Sequence, residues 1–192
     1  MLRLAEPTRL DWFTDIAADL DEILIDHAHL EKRAASTALN MLFHYTGYAG
    51  VARRLSDVVQ EEMEHFTRML DLLEARGVEL VRQRPSPYAG ILVQEVAREE
   101  PDRFLDRLLV AGLIEARSCE RFSVLAANVA DLELATFYEE LFESEARHYT
   151  LYTGLAREHF PEEKVEDRLQ ELSLIEVEAL KAGQGMARLH SY

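Results

Sequence analysis

Two short motifs constrain this chain more than anything else in it: Glu62-Met63-Glu64-His65 and Glu145-Ala146-Arg147-His148, each a Glu followed three residues later by a His. On a helix that spacing puts both side chains on one face. The apolar neighbours identify the face. Leu55, Val58, Met69 and Leu72 continue the 3–4 spacing around the first pair, and Tyr138, Leu141, Tyr152 and Leu155 do so around the second. Glu62, His65, Glu145 and His148 therefore hold seam positions that a helical bundle ordinarily fills with Leu. An unpaired buried carboxylate costs on the order of several kcal/mol, a large share of a domain's stability. Positive charge is expected at the seam, and a metal ion supplies it most simply.

Each motif has a partner upstream. Glu31-Lys32-Arg33-Ala34-Ala35 resembles Glu115-Ala116-Arg117-Ser118-Cys119, a Glu-x-Arg-small-small pattern that lies 31 residues before the first Glu-x-x-His and 30 before the second. The break at Thr46-Gly47-Tyr48-Ala49-Gly50 lies about midway between Glu31 and Glu62, roughly 22–24 Å of helix from each at 1.5 Å per residue. Ala130 divides the second half in the same way. In two antiparallel hairpins, Glu31 then stands level with Glu62, and Glu115 with Glu145.

The remaining punctuation fixes the helix order. A short amphipathic lead-in over 7–20 carries Leu10, Trp12, Phe13 and Ile16. Long helices are predicted to about Tyr45, from Val51 to Arg76 with Gly77 as the stop, from Pro101 to about Val129, and from a cap at Asp131 to Phe160. Arg82-Gln83-Arg84-Pro85-Ser86-Pro87 is non-helical, followed by a short helix from Ala89 to Glu99. Pro161 opens a last helix over about 161–181, and the tail from Gly183 is irregular. The long connection before Pro101 exceeds a tight antiparallel turn and has the length of an end-to-end crossover. The predicted fold is all-α: a ferritin-like four-helix bundle over about 20–160 with a long crossover between its second and third helices and additional short helices, the whole of 1–192 forming one domain.

Composition narrows the setting. The longest apolar run, Leu108 to Ile114, is far short of the roughly 20 residues of a membrane span, and the N-terminus lacks the apolar core of a secretion signal. One cysteine excludes an internal disulfide; a cytoplasmic location is expected. The net charge of −15 argues against a nonspecific nucleic-acid coat, though not against a local basic patch.

Six candidate ligands follow: Glu31, Glu62, His65, Glu115, Glu145 and His148. A Glu from each of two helices and a Glu-x-x-His from each of the other two is the ligand pattern of ferritin-like di-iron and di-manganese proteins, and mixed oxygen and imidazole donors suit iron or manganese. Cys119, one turn beyond Glu115, lines the site or serves as a small buried hydrophobe. His27, one turn before Glu31, supports the ligand or is a core histidine bonded elsewhere. Tyr138 and Tyr152 flank the second motif as packing or hydrogen-bonding residues. Glu61 and Ser144 precede ligand glutamates and can orient an imidazole from outside. Arg33 and Arg117 either pair with ligand carboxylates or lie on the bundle flank.

Several runs resemble the MiaE family, the tRNA 2-methylthio-N6-isopentenyladenosine hydroxylases: Glu31-Lys32-Arg33-Ala34-Ala35-Ser36, Pro85-Ser86-Pro87-Tyr88, Ile114-Glu115-Ala116-Arg117-Ser118-Cys119-Glu120-Arg121-Phe122, Ser144-Glu145-Ala146-Arg147-His148 and Ala187-Arg188-Leu189-His190-Ser191. The similarity spans roughly residues 20–191, and all six family ligand positions are filled. The resemblance implies O2-dependent hydroxylation of the isopentenyl group on the modified adenosine beside the anticodon. It implies two iron ions per chain (manganese being possible), O2 as co-substrate and an external reductant delivered by an electron-donor protein. Leu108, Leu113, Phe122, Phe66 and Phe142 are candidates to face the prenyl chain. For tRNA, Arg76, Arg82 and Arg84 form the nearest basic cluster, with Tyr88 placed to stack on a base; Arg53 and Arg54 are a second patch. A monomer or small oligomer without membrane attachment is expected. The competing readings are a di-iron oxygenase acting on a small apolar molecule and a ferritin-like iron-binding protein.

Overall fold

The computed structural model describes residues 2–192, and every regular element among them is helical. These are α1 (Trp12–Ile16), followed by a 3-10 turn over Ala17–Asp19, then α2 (Leu20–Tyr45), α3 (Val51–Ala75), α4 (Tyr88–Gln94), α5 (Asp102–Asn128), α6 (Leu132–His159) and α7 (Glu162–Lys181). They divide into two compact units. One comprises Ile16–Pro85 with Ala187–Leu189; the other comprises the chain up to Asp15, Ser86–Met186 and His190–Tyr192. No helix among the described residues is long and apolar enough to cross a membrane.

The first unit is built on the hairpin of α2 and α3. Gly50 forms its turn at φ +76°, a left-handed conformation that costs a side-chain-bearing residue energy. The buried side chains of α3 are Val51, Leu55, Val58, Glu62, His65, Met69 and Leu73, so the Glu-x-x-His lies on the same stripe as the leucines. At the far end the Val78 N–H donates to Leu73 O at 2.9 Å and the Gly77 N–H to Glu74 O at 3.0 Å. With Gly77 at φ +68° this is a Schellman stop. The 187–189 segment is tied to α2: Leu189 N–H donates to Asp26 Oδ2 at 3.0 Å and Arg188 Nη1 to Glu22 Oε2 at 2.9 Å.

The second unit is built on α5 and α6, with α7 and α4 against them. Asp131 caps α6 through its carboxylate, which accepts from the backbone N–H groups of Glu133 and Leu134. Gly112 allows close approach, since a Cβ there would lie 3.4 Å from Tyr152 Cβ and 3.5 Å from Thr153 Cγ2. The Phe122 and Tyr138 rings pack at 5.3 Å. α4 stops at Gln94, short of the predicted Glu99, because neighbouring side chains satisfy its backbone. Arg168 Nη2 donates to Glu95 O at 2.7 Å, and the Ala97 N–H donates to Asp106 Oδ2 at 2.8 Å. The terminal residues are irregular but anchored: Ser86 Oγ donates to His190 O and Arg121 Nη2 to Ser191 O, both at 2.6 Å.

Candidate metal centre

Each unit carries one buried carboxylate–imidazole triad. In the first, Glu31 on α2 meets Glu62 and His65 on α3, and one ligand atom from each lies within 4.8 Å of the others. They are 3%, 1% and 7% exposed. His65 Nδ1 lies 3.6 Å from Glu31 Oε2, while His27 Nε2 sits on the other oxygen, Glu31 Oε1. Burial works against a charge on Glu31, but the nearby His27 ring and hydrogen bonds with His27, His65 and Glu62 outweigh it, holding the carboxyl well below the usual glutamate range. His27 is thus a buried histidine whose partner is the candidate ligand itself. Its Nε2 holds Glu31 Oε1, while Oε2 is the oxygen that lies towards His65.

In the second unit Glu115 on α5 meets Glu145 and His148 on α6, again with ligand atoms within 4.8 Å. His148 Nδ1 is 3.9 Å from Glu145 Oε2, and both residues are 2% exposed. The two hairpins therefore repeat one arrangement: a Glu on the leading helix level with a Glu-x-x-His on the returning one. Buried carboxylates beside imidazoles are donors that divalent iron and manganese accept, and such groups are retained in an apolar interior when paired or bound to metal. The donor set fits a metal.

The other candidate residues fall into different environments. Cys119 is fully buried and its Sγ–H contacts Phe142 O at 3.5 Å. Burial, then Glu120, push its thiol up to about 11, so it stays protonated. Tyr152 and Tyr138 are buried on the α6 seam; Glu61 is half-buried. Ser144 is buried and accepts from Arg147 Nη2 at 3.2 Å. Leu108, Leu113 and Phe122 are core residues, whereas Phe142 is 37% exposed and Phe66 lies beneath Lys32.

Tyr88 corrects the expectation of a base-stacking residue. It is 1% exposed, and its hydroxyl donates to Glu176 Oε1 at 2.9 Å. Its ring packs on His190 at 4.6 Å, so neither face is open to a base. Arg76 is exposed and lies 3.7 Å from Asp21. Arg82 and Arg84 are exposed on the connection after α3.

Arg117 does not pair with a ligand carboxylate. Its Nε and Nη2 donate to the two oxygens of Glu176, each at 2.8 Å, and both residues are 0% exposed. Glu176 belongs to none of the motifs that spacing singles out. Its signal was present: it shares the 3–4 stripe of Val165, Leu169, Leu172 and Leu180. The seam glutamate of α7 thus finds a buried cation as its counter-charge.

Likeness to known proteins gives this geometry a family. The family model described as tRNA-(MS[2]IO[6]A)-hydroxylase (MiaE) matches residues 2–191. The tRNA 2-(methylsulfanyl)-N(6)-isopentenyladenosine(37) hydroxylase of Pseudomonas putida is 36% identical over 185 residues, 96% of this chain and 90% of that protein. The Salmonella typhimurium protein of the same name is 35% identical over 138 residues, covering 72% of this chain but 50% of its own length. A solved structure, Protein 43 with aldehyde deformylating oxygenase activity from Synechococcus, superposes with a TM-score of 0.94 at 42% identity, over 98% of this chain and 95% of that one. The fold is accordingly of the ferritin-like all-α class. A model match from end to end, with a relative above one-third identity over nearly the full length, makes this chain a member of the MiaE family of tRNA hydroxylases.

Proposed function

We propose that this protein hydroxylates the isopentenyl group of 2-methylthio-N6-isopentenyladenosine in tRNA, using a di-iron centre held by Glu31, Glu62, His65, Glu115, Glu145 and His148 within a single ferritin-like domain. The observation that carries the reading is the pair of matched Glu–Glu–His triads, each buried and each within 4.8 Å. When bound, the metals supply reductive activation of O2 for attack on an aliphatic C–H bond. The overall balance is R–H + O2 + 2 e⁻ + 2 H⁺ → R–OH + H2O, so a two-electron reductant must come from outside, and an electron-donor protein is the proposed source.

The chain's own residues do four things in this scheme. The four carboxylates offset the charge of two divalent ions. The imidazoles leave the donor set mixed, which favours iron or manganese over thiolate-seeking metals. His27 fixes the free oxygen of Glu31 by occupying the other. The apolar side chains of the seams, Leu55, Val58, Met69, Leu141 and Leu155 among them, keep the surroundings of low polarity. A cytoplasmic enzyme, where tRNA is found, is the corresponding setting.

The test is mass spectrometry of nucleosides from prenylated tRNA after incubation with the iron-loaded protein, O2 and a reductant. The expected product carries one added oxygen on the prenylated adenosine; no gain under turnover conditions refutes the assignment. The 42% identity to a protein named for aldehyde deformylating oxygenase activity favours a second reading, an oxygenase acting on a small apolar molecule. Conversion of a long-chain aldehyde with no change in tRNA would establish it.

A further inference from the structure

We propose that the groove between α2 and the connection after α3 binds successive phosphates of the RNA backbone flanking the modified adenosine, a proposal that rests on tRNA being the substrate. The concavity holds about 700 Å³ and four of its lining side chains are cationic: Lys32 and Arg33 from α2, Arg82 and Arg84 from the connection. None of its lining residues is a carboxylate. In a chain with 36 acidic and 21 basic residues, such a concavity runs against the average surface.

The cations are also poorly compensated. Among the described residues no carboxylate pairs with Arg82 or Arg84, in contrast to Arg76, which lies 3.7 Å from Asp21. The Lys32 ammonium faces the Phe66 ring at 5.4 Å, and the charge of Arg33 acts on the buried Asp26, a carboxylate already held by Leu189 N–H and Arg188. Crowding uncompensated like charges is unfavourable unless an anion is bound. Arginine forks match phosphate oxygens two at a time, and four cations spread along one groove suit a polyanion better than a single small ion.

The connection is fixed in place before any ligand arrives. His29 Nε2 bonds Val81 O at 2.8 Å, Gln83 Nε2 donates to Glu22 O at 3.2 Å, and Arg188 Nε donates to Arg84 O at 3.0 Å. Gln83 turns towards α2 while Arg82 and Arg84, on either side of it, line the groove, so less ordering remains to be done on binding. Lys32 and Arg33 directly follow Glu31 on α2, which anchors the bound backbone beside a proposed metal ligand.

The experiment titrates tRNA carrying the prenylated adenosine against full-length, iron-loaded wild type and two double variants over about 50–300 mM salt, following fluorescence anisotropy. R82E/R84E alters the groove; R98E/R103E makes the same charge change at exposed arginines elsewhere. R82E/R84E is expected to weaken binding at least tenfold and to flatten the salt dependence of log Kd by about 2, with R98E/R103E within threefold of wild type. R82A/R84A moves in the same direction by less. Circular dichroism and iron content check that each variant is folded and loaded. Equal weakening in both double variants, or wild-type binding by R82E/R84E, overturns the groove while leaving the substrate assignment standing. Wild type that neither binds tRNA nor adds oxygen to it removes both.

Discussion

Replacing Glu176 with Gln changes one buried carboxylate into an amide and leaves its volume almost unchanged. In the native protein that carboxylate accepts three hydrogen bonds: Arg117 Nε and Tyr88 Oη on Oε1, and Arg117 Nη2 on Oε2. Glutamine offers one oxygen, and its NH2 group must then face an N–H or O–H donor. Arg117, itself 0% exposed, keeps its contacts with Glu120 and Glu6 O but loses its fully buried counter-charge. Breaking a buried ion pair from one side costs about 3–5 kcal/mol. For a chain of this length each kcal/mol is worth about 2–4 °C, so the melting temperature should fall by roughly 6–20 °C. Thermal melts at 222 nm on metal-free protein measure this without linkage to metal binding. Glu178→Gln, two residues away and exposed, is the control and should leave the melt unchanged. R117M/E176M, which removes both charges, should recover at least half of the loss. A shift below about 4 °C for E176Q, or a double variant as unstable as the sum of the singles, would refute the account of a desolvated pair.

Three further outcomes are expected. H65A and H148A should each lower bound iron from two to about one per chain, measured by plasma emission spectroscopy after reconstitution; unchanged stoichiometry in both would exclude these imidazoles as ligands. Asp26→Asn should stabilise the protein at neutral pH. Burial raises the folded-state pKa of Asp26 above 3.8, against the opposing bond from Leu189 N–H and the charge of Arg188, so its protonated form is favoured in the fold. That contribution is complete below the unfolded value and lost as pH rises through the raised one. The advantage of the Asn variant should therefore grow across that window and vanish in acid, as urea titrations at several pH values would reveal. Cys119, with its thiol pushed up to about 11 and no exposed surface, should resist aromatic disulfide reagents at pH 8 until the protein is unfolded. Rapid labelling of the native protein would contradict its burial.

Much of this protein follows from its sequence alone, because helical periodicity is a local property. The 3–4 stripe that carries Leu55 and Met69 also carries Glu62 and His65, so spacing alone marks the buried faces. Gly77 announced the end of α3 and Asp131 the start of α6, since each acts on backbone groups within a few residues. Tertiary structure decided what stands opposite a given side chain. Periodicity marks Glu176 as buried but cannot say that Arg117, 59 positions away, supplies its counter-charge, nor that Tyr88 joins the same network instead of meeting a base. The sequence leaves Arg33 between a ligand carboxylate and the bundle flank and says nothing of Lys32; the fold sets both beside the connection that His29 and Arg188 pin alongside α2. Contacts between residues distant in sequence depend on the path of the whole chain, and no short window of residues contains that information.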